Sequence, residues 1–178
     1  MDATALILLD FEIDKLTNSI EYVATGETFA TAIVPVSAAD LQTTTKKNGW
    51  RFDWRAEARQ LLRTVYKLVT TADPTVLQGL VSLENRGDHF YLHLIENAPA
   101  NLGNNKVYQG VAGNLVAFAC KLAFESGHQG TVSFVSKTVL IQHYADTLGA
   151  VHFGGHLMVM LTGPALALTR KYFKDFQP

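Results

Sequence analysis

The residues best placed to do chemistry surround one glycine-rich stretch, Tyr108-Gln109-Gly110-Val111-Ala112-Gly113-Asn114. Gly110 and Gly113 let backbone approach a ligand closely. The stretch runs into apolar residues at helical spacing, Leu115, Phe118, Ala119 and Leu122. A helix that begins there aims its first N–H groups and its positive dipole end at the turn, so the chemistry on offer is the binding of an anion such as a phosphate. The turn is not a P-loop, since no Gly-Lys-Ser/Thr follows. It also lacks the full G-x-G-x-x-G and its acidic ribose partner. Taken alone, its glycines are better explained as packing residues of a strand-to-helix turn.

Other reactive residue types are spaced less favourably. His89 with His93, and His152 with His156, are i, i+4 pairs. On a strand they lie ~13 Å apart, too far to share a metal, and no third ligand stands near; a metal site is not expected. His143 lies beside Tyr144 in a helical pattern and is expected to face solvent. Cys120, the only cysteine, sits inside an apolar helix and reads as a small core residue rather than a nucleophile. A lone thiol builds no intrachain disulfide, so a reducing cytoplasm is the simplest compartment. No G-x-S-x-G elbow supports serine hydrolase chemistry. Trp50, Phe52 and Trp54 could stack on a base or sugar, but aromatics ahead of a helix more commonly anchor it to a core.

The elements that must position these residues can be read from periodicity and turn signals. Residues 107–150 read as turn, helix, strand (131–136) and a second helix with Ile141, Tyr144, Ala145 and Leu148 on one face. Gly127 and Gly149 are expected to end the two helices. Upstream, residues 5–13 are a strand or a short helix. Residues 20–25 and 28–36 form a hairpin around Gly26-Glu27, with Pro35 at an edge. Residues 37–48 are a polar connection with a helical turn near Asp40. Residues 49–63 switch to helix, capped by Asp53. Strands follow at 64–71, 76–84 and 89–96, the last two joined by a tight loop at 85–88. Residues 97–106 form a long polar connection of the kind that tends to be functional or mobile. Strands at 151–153 and 156–162 flank Gly154-Gly155, and Pro164 opens a last helix over 165–173. The expected product is an α+β layered protein with a mixed sheet and helices on its faces.

The bounds agree with this reading. A chain of 178 residues favours one domain and can bury a sizeable core. A net charge of −1 offers no basic face for nucleic acid. The start has a short apolar run followed by acids, which is not a signal peptide. No apolar run reaches the ~18–20 residues of a membrane span.

Four pieces over roughly residues 64–162 together resemble the GNAT superfamily, the acyl-CoA-dependent N-acetyltransferases. They are VLQGLVSLE (76–84), HFYLHLIE (89–96), the turn 108–114, which resembles the superfamily's Arg/Gln-x-x-Gly-x-Gly/Ala turn, and HYADTLGA (143–150), which resembles its "FYEKLGF" segment. The turn and the last segment are the most specific. Ala112, Asn114, Lys137 and the ten-residue loop at 97–106 depart from the pattern.

The resemblance implies a mixed, mostly antiparallel sheet in which two middle strands splay apart to admit acyl-CoA. Within it, 1–63 would be an N-terminal hairpin and helix, 64–162 the acyl-CoA-binding core and 163–178 a C-terminal helix. Acetyl-CoA would lie against Glu96, Asn97 and Ala98 at the end of one strand. Its diphosphate would rest on Gln109, Gly110, Val111, Ala112, Gly113 and Asn114, with Lys137 nearby. Tyr144 would be the general acid and Glu96, or secondarily Glu84, the base, with His93 a remoter candidate. The implied reaction is direct attack of an amine on the thioester, the acceptor being a small molecule or peptide. Acidic residues Glu84, Asp88 and Glu96 near the implied cleft would suit a cation. The alternative is a non-catalytic acyl-CoA-binding or assembly module on the same fold. Strand 151–162 and the N-terminal hairpin are edges on which two copies could pair as a homodimer.

Overall fold

The structure, a computed structural model, describes residues 6–178. Its main layer is a seven-stranded sheet in the order β3 (Thr31–Pro35), β4 (Arg63–Thr70), β5 (Gly79–Asn85), β6 (Phe90–Asn97), β8 (Val132–Val135), β10 (Leu157–Met160), β9 (Val151–His152). Every pair is antiparallel except β6 with β8. This is the mixed, mostly antiparallel sheet expected. A second, three-stranded sheet joins β1 (Ile20–Tyr22) to β2 (Thr28–Phe29) and β7 (Tyr108–Gln109).

Helix α3 (Val111–Glu125) packs on one face of the large sheet, and α5 (Thr162–Tyr172) packs on α3. Val111 through Cys120 are all buried, so the first ten residues of this helix are enclosed on every side. It lies close to the sheet because β5 begins with Gly79, where an added Cβ would stand 2.7 Å from Val111 Cγ1. Cys120 is fully buried, and burial pushes its thiol pKa up to about 12, which makes it the inert core residue expected. Helices α1 (Ala38–Thr43) and α2 (Trp54–Ala58) cover the other face. A capping box between Ser37 and Asp40 starts α1, and Asp53 accepts from Ala56 N to start α2. Helix α4 (Ile141–Leu148) lays Tyr144 edge-on against Phe134 of β8, and Gly149 ends it in the left-handed region.

Several expectations are corrected. The described part of 5–13 is neither strand nor helix; it is extended, with one parallel bridge from Leu9 to Ser136. The second arm of the N-terminal hairpin breaks at Ala30. Its first half, β2, stays with β1, while β3 crosses to the edge of the large sheet beside β4. The helix read over 49–63 shrinks to five residues. Only Trp54 and Glu57 bury, and the chain leaves at Leu61 and Leu62, 90% and 82% exposed, to enter β4. Good helix formers there lose to the need to start a central strand. Trp50 and Trp54 are buried, so the aromatic cluster anchors the core. Among the described residues, no helix is long and apolar enough to cross a membrane.

Candidate active site

Strands β6 and β8 pair only at Phe90 with Val132 and Tyr91 with Ser133. Immediately beyond, Leu92 faces Leu83 and Leu94 faces Ser82 on β5, which leaves His93 as a bulge. A bulge bends its strand and increases its twist. The C-terminal half of β6 therefore turns away from β8, and this is the expected splay. Into the opening fits a cavity of about 290 Å³, walled on one side by Ile95, Glu96 and Asn97 and on the other by Asp10, Phe11 and Asp14.

The second wall comes from a segment far away in sequence. Residues 9–17 run along the freed edge of β8 and on to the start of α3. Leu9 N donates to Val135 O at 2.8 Å, and Lys137 N to Leu9 O at 3.0 Å. Phe11 stacks on Tyr144, and its carbonyl accepts from the Tyr144 hydroxyl at 2.6 Å. Ile13 N donates to Nε2 of His143, so this histidine faces the segment rather than solvent. Thr17 N donates to the Tyr172 hydroxyl, which itself lies 2.4 Å from where a Cβ on Gly113 would stand.

The glycine-rich turn has the expected form under an unexpected cover. Gly110 adopts φ 85°, the left-handed conformation that glycine tolerates, and is the N-cap of α3. Val111, Ala112, Gly113 and Asn114 are buried. The Gly110 amide donates to Asp14 Oδ1 at 3.1 Å, and Lys106 holds the other Asp14 oxygen at 3.0 Å. The amides of Val111, Ala112 and Gly113 have no hydrogen-bond partner among the described residues. Gln109 reaches Glu21 through Nε2. Asn114 Nδ2 donates to Thr31, while its Oδ1 is buried without a partner. Of the turn's amides only that of Gly110 holds the chain's own carboxylate, while Asn114 N is bonded inward to Gly110 O at 3.1 Å. Ala98 is buried where β6 ends, with its amide bonded to Gln78 O.

The catalytic candidates are not gathered at one point. Glu96 borders the cavity, but Arg51 N and Trp54 Nε1 each donate to it at 2.6 Å. Tyr144 is fully buried, and burial followed by the charges of Asp10 and Glu12 pushes its pKa up. Glu84 lies at the far end of the strand pair, bound to Arg86, with His93 Nε2 3.4 Å away and not hydrogen-bonded. Burial, then the charge of Arg63, holds the His93 pKa below its ordinary value. Lys137 is bound to Asp10 rather than free. Asp88 pairs with His89, so the acids thought to favour a cation already have partners.

Asp10 anchors the second wall electrostatically. Arg51 grips it with two hydrogen bonds, at 2.8 and 2.9 Å, and Lys137 adds one at 2.7 Å. The Arg51 bonds, opposed by burial and supported by Lys137, hold the Asp10 pKa below the usual aspartate range. A lowered folded pKa means stability that is complete above the unfolded value and disappears as pH falls through the folded one. Below about pH 4, unfolding free energy should therefore fall more steeply in the native sequence than in Asp10→Asn. Parallel slopes in urea titrations at pH 6 and pH 3 would remove this role.

No family model and no curated protein sequence matches the chain. Solved structures do. A spermidine N-acetyltransferase from Vibrio cholerae, in complex with CoA and spermine, aligns at a TM-score of 0.53 and 14% identity, over 76% of this chain and 98% of that one. A spermidine/spermine N-acetyltransferase SpeG mutant from Vibrio cholerae aligns at 0.53 and 13%, over 77% and 98%. FeeM, an N-acyl amino acid synthase from uncultured soil microbes, aligns at 0.51 and 13%, over 80% and 95%. The chain has the fold of the GNAT superfamily. At these identities the likeness extends to the fold alone.

Proposed function

We propose that this protein is an N-acetyltransferase that moves an acetyl group from acetyl-CoA to an amine by direct attack. The observation that carries this reading is the parting of β6 from β8 just past Tyr91 and Ser133, with a cavity along the freed end of β6. Acetyl-CoA supplies the activated thioester. Its pantetheine arm would run beside Glu96, Asn97 and Ala98, and its diphosphate would take the amides of Gln109–Asn114, where a helix start favours an anion. Lys137 would add a cation beside it. Loss of the ammonium proton falls to Glu96, which lines the cavity where Glu84 does not, and Tyr144 would protonate the departing thiolate. In the conformation described, Tyr144 donates to Phe11 O. Its acid role therefore requires the Phe11 carbonyl to withdraw.

The alternative, a non-catalytic acyl-CoA-binding or assembly module, is favoured by one observation. Both oxygens of Glu96 are already engaged by structural donors. Calorimetry with acetyl-CoA, followed by a free-thiol release assay over a panel of amines that includes a polyamine, separates the two. Thiol release with an amine supports the transferase. Binding without release supports the module, and no binding by either the native chain or its Asp10→Asn/Asp14→Asn variant removes both. Within the transferase reading, Tyr144→Phe should lower kcat by ~10²-fold while leaving acetyl-CoA affinity within about a factor of three. Unchanged turnover would remove Tyr144 as the acid.

A further inference from the structure

We infer that residues 9–17 are an internal occupant of the acyl-CoA cleft, which must leave before the cofactor can bind. This rests on the acyl-CoA reading above and adds a regulatory device to it.

The argument begins with charge. The cavity is walled by four carboxylates, Asp10, Glu12, Asp14 and Glu96, against two cations, Arg51 and Lys106. Such walls repel a polyanion. Three of those carboxylates belong to the segment itself. With the segment withdrawn, Glu96 remains against Arg51, Lys106 and the released Lys137, and the sign of the cleft reverses. Asp14 is the clearest case. Its carboxylate takes the Gly110 amide and Lys106 together, as a phosphate oxygen would.

The path of the segment makes the same point. It runs from the α3 N-terminus, where Thr17 lies over Gly110 and Leu16 over Gly113, to the floor of the splay, where Leu9 hydrogen-bonds to β8. A diphosphate and pantetheine arm would need that path. The segment is also built for release. No residue from 10 to 19 belongs to a helix or strand, and side chains make most of its polar ties. Leu9 and Ile13 are buried, so release uncovers apolar surface and lowers apparent affinity by the fraction of molecules that are open.

Three segment amides report its position: Leu9 to Val135 O, Ile13 to His143 Nε2 and Thr17 to Tyr172 Oη. Hydrogen exchange on the full chain, with and without saturating CoA, should show these amides losing protection when CoA binds. Titration of the Asp10→Asn/Asp14→Asn double variant should show CoA binding about tenfold tighter, since two charge-assisted ties no longer compete. If CoA binds with protection at the three amides unchanged, or if the folded double variant binds no tighter, the occupant is refuted while the acyl-CoA reading stands. If neither protein binds CoA, the acyl-CoA reading falls and the occupant with it. The exchange measurement needs no variant, so it decides the matter even if the substitutions impair folding.

Discussion

Trp54→Ala should cost about 4 kcal/mol of unfolding free energy, a large share of what a domain of this size has. Two effects combine. Trp54 is fully buried, so truncation leaves a cavity between α2 and the sheet. Its Nε1 also donates to Glu96 at 2.6 Å, and Glu96 is itself buried. Losing that donor leaves a carboxylate oxygen dry and unpaired. Trp54→Phe separates the two, since it keeps most of the ring volume and removes the N–H. It should cost about 1–3 kcal/mol. Urea unfolding of the three proteins checks both values, and an alanine variant within 1 kcal/mol of the native sequence would refute the account. Because Glu96 borders the cavity, Trp54→Phe should also change acyl-CoA binding. A purely structural tryptophan elsewhere in the core would not.

The second large effect is expected at Arg63. Its Nη1 reaches both oxygens of Glu57, at 2.9 and 3.0 Å, and Ser82 Oγ donates to one of them at 2.6 Å. The side chains are only 19% and 9% exposed, so this is a pair taken largely out of water. Removing one partner strands the other charge. Arg63→Met should therefore cost about 3 kcal/mol. Adding Glu57→Gln should recover most of that loss, because the uncompensated charge leaves with it. A double variant as unstable as Arg63→Met alone would show that the arginine acts through packing of its stem, not its charge.

Much of the fold was legible because local signals agreed with the tertiary result. The turn, helix, strand and helix of residues 107–150 appear where Gly110, Gly127 and Gly149 marked them, each with positive φ. The β5–β6 hairpin around residues 85–88 and the β9–β10 pair around Gly154-Gly155 also follow from turn chemistry that a short window contains. The helix at 49–63 failed because its stop is set by β4. Leu61 and Leu62 look like helix interior until the chain is seen to need a central strand directly after them.

The cleft was legible only in half. The glycines and Tyr144 could be read because their conformational and helical-face requirements are local. Asp10 and Asp14 could not. In sequence they are two acids after a short apolar run, with nothing local to mark them as part of a site. Their partners, Arg51, Lys137, Lys106 and the Gly110 amide, lie between 41 and 127 positions away. The signal was present in their spacing. Acids four apart on an extended chain share one side, while Leu9, Phe11 and Ile13 alternate on the other.

By itself the sequence determined which segments would be helix or strand over the C-terminal two-thirds, that a helix would start just after Gly110, and that the thiol would be inert. These follow from backbone sterics and from the period of apolar residues, which act over a few positions. Tertiary structure decided that β6 would bulge at His93 and part from β8, and that the chain's own N-terminal acids would lie in the gap. Those outcomes depend on which distant groups meet, and electrostatic and apolar complementarity between surfaces far apart in the chain has no local signature.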